Sequence, residues 1–244
     1  MKEDVLFYSS NITHIIPEGA ALFITFRLYN SVPAFLVKEY EAEYRKAANL
    51  IKALHRSRQE IARIRLRALK ISFLEKYEAL LDEEVYGECW LKDPCIAELL
   101  KSKLHQLDGE MYRLLCYCIM SNHVHLVIDL SGGLSYADPL HTQQARKSMA
   151  SYPKIMQFIK GSTARQINEY LGRSGSFWQR DSYERYIRSE RHLFYVINYT
   201  LKNPVKAGIC ASWEKFPHNY LAPELREWFL SMPQKYPGKD PRPW

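Results

Sequence analysis

The fourteen residues Cys116-Tyr-Cys-Ile-Met-Ser-Asn-His-Val-His-Leu-Val-Ile-Asp129 limit what this chain can fold into more than any other stretch. They combine a plain strand signal with the chain's single His-x-His. Successive side chains on a strand point to opposite faces, so His123 and His125 share one face while Val124, Leu126 and Ile128 share the other. One face is then core and the other is free to be a site. Two imidazoles projecting the same way can share one divalent cation, since neutral imidazole is a common metal ligand. A pair of exposed histidines without a role satisfies the same pattern, and the spacing alone does not separate the two.

The rest of the chain bounds the setting. A length of 244 residues suits one large domain, or one domain with an elaborate insertion. The first ten residues carry no secretory leader and no apolar run is long enough to span a bilayer, so the expectation is a soluble cytoplasmic protein with no membrane partner. Five irregularly spaced cysteines are too few for a disulfide framework, which fits a reducing compartment. The net charge of +7 is concentrated: residues 45–70 hold nine Lys/Arg and one acidic residue, Glu60, and residues 146–191 hold ten basic against four acidic. Blocks of this kind suit a phosphate backbone, because affinity for nucleic acid rises with the phosphates neutralised. A solvated helix face is the plainer reading of the same block.

Read in order, residues 20–29 predict a central strand ending at Asn30-Ser-Val-Pro33. From about Ala34 to Glu84 the period is helical, with apolar stripes at Ala47, Leu50, Ile51 and Leu54 and at Ile61, Ile64, Ala68 and Ile71. The polar stretch 55–59 between them implies two helices or one bent helix. Asp93-Pro94 supplies an N-cap and a first-turn proline for a helix over 95–105. A strand over 111–119, a tight turn at Met120-Ser-Asn122 and a strand over 123–130 follow. Residues 131–152 read as a long loop, 153–171 as a helix, and 177–188 as a further strand. Ser189 starts a helix that Asn203-Pro204 is expected to stop. The Pro- and Trp-rich tail from Phe216 is expected to wrap the surface.

That last helix holds a second group of candidates. Leu193, Ile197 and Leu201 form its apolar stripe, while Tyr195, Tyr199 and Asn203 form another, displaced by about 200° at roughly 100° per residue. A tyrosine and an amide one turn apart address the same point in space. Brought to His123 and His125, they complete a set of two imidazoles, an amide oxygen as third metal ligand and a phenol. A metal so held can polarise a phosphoryl oxygen. An aligned phenol can attack phosphorus to give a covalent phosphotyrosine that conserves the bond energy. Tyr195, Tyr170, Tyr183 and Tyr186 are rivals to Tyr199, and a half-buried packing tyrosine is the ordinary fate of the residue type.

Four motifs in order carry a family resemblance: Met120-Ser-Asn-His-Val-His-Leu126, Gly175-Ser-Phe-Trp-Gln-Arg180, Tyr183-Glu-Arg-Tyr-Ile-Arg188 and Tyr199-Thr-Leu-Lys-Asn-Pro-Val-Lys-Ala-Gly208. Together with Phe23-Ile-Thr-Phe-Arg-Leu28 and Tyr86-Gly-Glu-Cys-Trp-Leu91, they resemble REP-associated tyrosine transposases of the HUH single-tyrosine (IS200-like) superfamily. The resemblance implies an α+β fold, an antiparallel sheet flanked by helices (a ferredoxin/RRM-like HUH core), with a long helical insertion at about 34–84. It implies an N-terminal arm over 1–19, a catalytic domain over 20–210 and a tail over 211–244. It further implies Tyr199 as nucleophile, His123, His125 and Asn203 as ligands of Mg2+ or Mn2+, and cleavage and rejoining of single-stranded DNA hairpins through a 5′-phosphotyrosine. Lys160, Arg165, Arg180 and Arg188 would meet phosphates and Trp178 would stack on a base, by the general logic of single-strand binding. The subunit number stays open, a homodimer included.

Three other readings fit the same residues. One is a domesticated DNA-binding protein that keeps the fold without strand transfer. Another is a replication initiator or relaxase-type nickase using the same chemistry. The third is a structural zinc site: with two residues in the turn, Cys116 and Cys118 join the face of His123 and His125, whereas a one-residue change sends them to the other face.

Overall fold

The structure, a computed structural model, describes residues 21–52, 56–131 and 150–236. The expected N-terminal arm, the body of the 131–152 loop and the end of the tail lie outside the described residues. A five-stranded antiparallel sheet, in the order β4-β1-β3-β2-β5, organises the chain. Its strands are β1 (Ala21–Arg27), β2 (Arg113–Ile119), β3 (His123–Asp129), β4 (Tyr183–Ile187) and β5 (Asn219–Leu221). The first four give the order 4-1-3-2, that of a ferredoxin-like βαββαβ unit. The fold is therefore the expected α+β class.

Alternation along the strands separates two cores. Leu22, Ile24, Phe26 and Leu28 of β1 and Val124, Leu126 and Ile128 of β3 face α3 (Pro94–Gln106) and α4 (Tyr152–Tyr170). Phe23 and Val127 face the other way, toward α2 (Arg56–Asp82), α5 (Glu190–Lys206) and α6 (Arg226–Lys235). The helix α3 begins as its sequence dictates, with the Asp93 carboxylate accepting from the Cys95 backbone N–H at 2.8 Å. The insertion between β1 and α3 is a pair of packed helices, α1 (Ala34–Lys52) and α2. It is tied back to the domain at Gly87, whose φ of +71° and approach to the Asn30–Ser31 backbone leave no space for a β-carbon.

Four expectations change. The strand expected over 177–188 contracts to Tyr183–Ile187, and Trp178 makes only an isolated bridge to Leu28. Pro204 does not stop α5, which runs on to Lys206. A proline one turn from the end forfeits a single ladder bond to the carbonyl four residues back, and Gly208 in the left-handed region closes the helix just beyond. The tail does not merely wrap the surface, since β5 pairs with β2 and α6 buries Phe229 and Met232. Finally, Leu50, Ile61 and Ile64 of the expected apolar stripes are 61–63% exposed, because the sheet ends before it reaches that part of the helix pair.

Trp178 is built into the α3/α4 core. Its ring stands edge-on to Phe26 with centroids 4.9 Å apart, and its indole N–H donates to Thr163 Oγ1 at 2.9 Å. Trp178→Ala is expected to lower stability by about 3–5 kcal/mol in urea denaturation. A loss under about 0.5 kcal/mol, the range of surface substitutions, would place the ring outside the core.

Candidate metal and tyrosine site

The site forms where β1, β3, α2 and α5 meet. The pairings Arg27↔His123 and Thr25↔His125 set both histidines on the α2/α5 face, and both are fully buried. The exposed-pair reading is thereby excluded. Helix α5 brings Tyr199 and Asn203 over them, and its continuation through Pro204 keeps the two one turn apart on the same face. The Asn203 amide nitrogen lies 3.1 Å from His125 Nε2, and the ring of Tyr199 is 5.4 Å from that of His125.

Helix α2 supplies a partner that the motifs did not indicate. Glu78, 4% exposed, places one carboxylate oxygen 3.4 Å from His125 Nε2 and accepts the Tyr199 hydroxyl proton at 2.9 Å. Its signal was present in the sequence. Leu74, Tyr77 and Leu81 form a buried face at helical spacing, and Glu78 is the acid set among them. The metal-ligating atoms of Glu78, His123 and His125 all lie within 4.8 Å of one another.

Hydrogen bonds beyond the cluster fix how the imidazoles present their nitrogens. Asn122 is held by its own amide, which donates to the Leu81 carbonyl at 3.0 Å. Its oxygen must therefore face His123 Nδ1, 2.8 Å away, and accept from it. That proton leaves Nε2 of a neutral His123 with its lone pair toward the cluster. His125 Nδ1 is bonded to Thr25 Oγ1 at 2.9 Å, so its Nε2 also points inward, 3.2 Å from that of His123. Burial, with His125 adding to it, lowers the His123 pKa to about 3, which keeps the ring neutral. Burial would raise the Glu78 carboxyl, but the facing His125 and His123 and the Tyr199 hydroxyl outweigh it and hold it at about 2. The result is an anion and a neutral imidazole converging in a dry place.

These residues fit a divalent cation. Two imidazoles and a carboxylate are an ordinary donor set for a transition metal. The buried Asn203 oxygen has no hydrogen-bond partner, and exchanging the two ends of that amide turns the oxygen toward the cluster as a further ligand. The Asp82–Lys206 ion pair, at 3.0 Å, links α2 to α5 one turn beyond. A Cys/His site does not form. The turn does leave two residues, Ser121 and Asn122, and Cys118 does pair opposite His125. Yet the cluster includes no sulfur among the described residues, and burial raises the Cys116 and Cys118 thiols well above their usual range, away from the thiolate a metal needs.

The other sequence candidates lie elsewhere. Lys160 is drawn inward, donating to the carbonyls of Gln179 and Arg180 and to Ser182 Oγ, and burial lowers its pKa to about 8. It shapes the segment that carries Arg180. Trp178, being core, presents no face to a base. Arg165, Arg180 and Arg188 are exposed. Among the rival tyrosines, Tyr195 accepts from Arg191 at 3.1 Å and Tyr170 bonds to Asp93 at 3.3 Å. The Tyr199 hydroxyl meets a residue of the cluster, Glu78. The five cysteines are all free, and no helix among the described residues is long and apolar enough to cross a membrane.

The fold and cluster define a class, an α+β domain with a buried two-histidine, one-carboxylate centre beside a tyrosine. The chain matches no family model and no curated protein. A solved structure similar to it is that of a REP-associated tyrosine transposase bound to a REP hairpin, at 14% identity over 86% of this chain and 82% of that one, with a TM-score of 0.40. A likeness at that score carries no weight for fold or function, both of which rest on the geometry above.

Mn2+ is expected to raise the melting temperature of the wild type, since a ligand bound only by the folded state stabilises it. His125→Ala should abolish the shift, and Asn122→Ala, which frees the His123 ring, should weaken Mn2+ binding by about 10–100-fold; an unchanged shift in both variants would dismiss the cluster as a metal site. Acid should destabilise the protein in two overlapping windows. His123 binds its proton at about 3 when folded and near 6.5 when unfolded, so stability falls as pH drops below about 6.5. Glu78 stands at about 2 folded against 4.5 unfolded and adds a loss between those values. In metal-free buffer, His123→Asn should flatten the urea midpoint between pH 6.5 and 4.5, and an unchanged slope there would refute the assignment.

Proposed function

We propose that this protein cleaves and rejoins single-stranded DNA, with Tyr199 as nucleophile and a 5′-phosphotyrosine as intermediate. The observation that carries the reading is the convergence of the Tyr199 hydroxyl and the His125 imidazole on one carboxylate oxygen of Glu78, with His123 in the same cluster. An anionic oxygen sits between a potential nucleophile and a metal-ligating pair, which is where a scissile phosphate has to sit. The resemblance of the four motifs to REP-associated tyrosine transposases supports the same reading.

In this proposal His123, His125, Glu78 and Asn203 hold Mg2+ or Mn2+, which when bound supplies Lewis-acid polarisation of the phosphoryl oxygen. The chain's own residues do the rest. The Tyr199 hydroxyl leaves Glu78 and its oxygen forms a bond to phosphorus while the phosphorus–O3′ bond breaks. The phenolic proton is released and the departing 3′ oxygen takes one up, so the strand ends as a free 3′-OH and a 5′-phosphotyrosine. Attack by a 3′-OH on that linkage reverses the step and regenerates the phenol without ATP. Asn122 and Thr25 keep the imidazoles oriented throughout, a contribution of positioning. A phenol is a weak nucleophile until it is aligned, so alignment and charge neutralisation at the phosphate carry much of the rate.

The test is incubation of labelled hairpin oligonucleotides with Mn2+, followed by a denaturing gel that reads covalent protein–DNA adducts. A slow-moving adduct is expected from the wild type and not from Tyr199→Phe, with His123→Ala or EDTA reducing its yield by at least about 100-fold, the scale of losing one of two concerted contributions. An adduct that survives Tyr199→Phe moves the nucleophile to another tyrosine. DNA binding with no adduct favours the domesticated binder, and nicking of an origin strand without joining of ends favours the initiator.

A further inference from the structure

We infer that the half of α2 beyond the sheet is a phosphate-binding arm, with Arg63 and Arg67 on its inner face gripping the backbone of the nucleic acid whose reacting phosphate enters at Glu78. The inference rests on the reading of that site as one that acts on nucleic acid.

Helix α2 is 27 residues long, but the sheet supports only its C-terminal part, where Leu74, Tyr77, Glu78 and Leu81 are buried. At about 100° per residue these four share one face, and the same face continued toward the N-terminus carries Arg63, Arg67 and Lys70. Arg63 and Arg67 are exposed; among the described residues Arg63 reaches only Glu60, at 3.8 Å, with about half of its own side chain in solvent. A second side of the helix packs on α1, where Phe73 meets Tyr40 with ring centroids 4.5 Å apart. The third, outer side carries Ile61 and Ile64, 61% and 63% exposed.

The polarity of this segment is inverted. An ordinary amphipathic helix turns its apolar stripe inward and its charges outward. Here Ile61 and Ile64 face out beside Arg65, while Arg63 and Arg67 occupy the face that a turn or two later packs over the sheet and delivers Glu78. A merely solvated helix has no reason to place its cations on that side. A polyanion approaching the site along α2 supplies one. Arg63 lies about 22 Å from Glu78 by helical rise, a distance a nucleic-acid strand covers in roughly six nucleotides at 3.4 Å per step. Rigid attachment of the arm to a site residue then sets how far from the gripped backbone the reacting phosphate lies. The arm is thus a ruler as well as a grip.

The test is binding of a labelled single strand, and separately of its duplex, by the full chain across a range of NaCl, read by fluorescence anisotropy. Removing two phosphate contacts in Arg63→Gln/Arg67→Gln should reduce the slope of log K against log salt by about 1.8 if the backbone is duplex and about 1.4 if it is single-stranded. An unchanged slope with both DNAs overturns the inference. Arg65→Gln removes the same charge from outside the inner face, and a per-residue loss equal to that at Arg63 and Arg67 would show diffuse attraction and also overturn it. Thermal unfolding of each variant verifies that the fold is kept. Adduct formation is scored apart from binding: a wild type that makes no adduct while the slope change persists refutes the chemistry at Tyr199 and leaves the arm standing.

Discussion

Asn122 makes two hydrogen bonds on which the site depends. It is the last residue of the β2–β3 turn, fully buried, and its amide donates to the carbonyl of Leu81 at the end of α2 while its oxygen accepts from His123. An amide has one donor end and one acceptor end, so the first bond dictates the second. The orientation of a catalytically suggestive imidazole is thus decided by the position of a helix 41 residues earlier in the chain. Buried polar groups left unpaired cost about 1–3 kcal/mol each, which makes this three-member relay an all-or-none arrangement.

The same helix bears the opposing cost. A buried carboxylate is expensive unless paired, and Glu78 is offset by imidazole, phenol and, in the proposed enzyme, a cation. The apolar contacts of Phe73, Leu74, Tyr77 and Leu81 against the sheet and α5 hold it there. Stability and function are therefore coupled through α2: what the core gains from Leu74 and Leu81, the site uses to keep an anion between a hydroxyl and two histidines. The Asp82–Lys206 pair adds little energy of its own, being half-exposed on the lysine side, but it ties the two helices at the end where the site lies.

Much of the fold was legible in the sequence because most of its strand positions keep a two-residue period, the bulge in β2 between Leu114 and Cys116 apart. The β2–turn–β3 hairpin, the placing of His123 and His125 on one face, and the α3 start at Asp93-Pro94 all follow from local rules. Residues 177–182 were misread for the same reason: Phe177 and Trp178 carry strand-like composition, but only a tertiary core tells a buried aromatic from a paired strand or a base-stacking platform. Pro204 was misread through a rule that holds for helix interiors and is weaker in the last turn. The stripes at Leu50, Ile61 and Ile64 had helical spacing without a surface to bury them, which spacing cannot reveal.

By itself the sequence determined which residues could act: two histidines two apart on a strand, and a tyrosine and an asparagine four apart on a helix, since those relations depend only on the periods of the backbone. It did not determine what they meet. Glu78 lies 45 residues before His123 and 121 before Tyr199, and nothing in local geometry relates them. Only the packing of α2 and α5 on one face of the sheet brings a carboxylate, two imidazoles and a phenol together. Long-range proximity is set by how the cores fill, and that is information the chain holds only when folded.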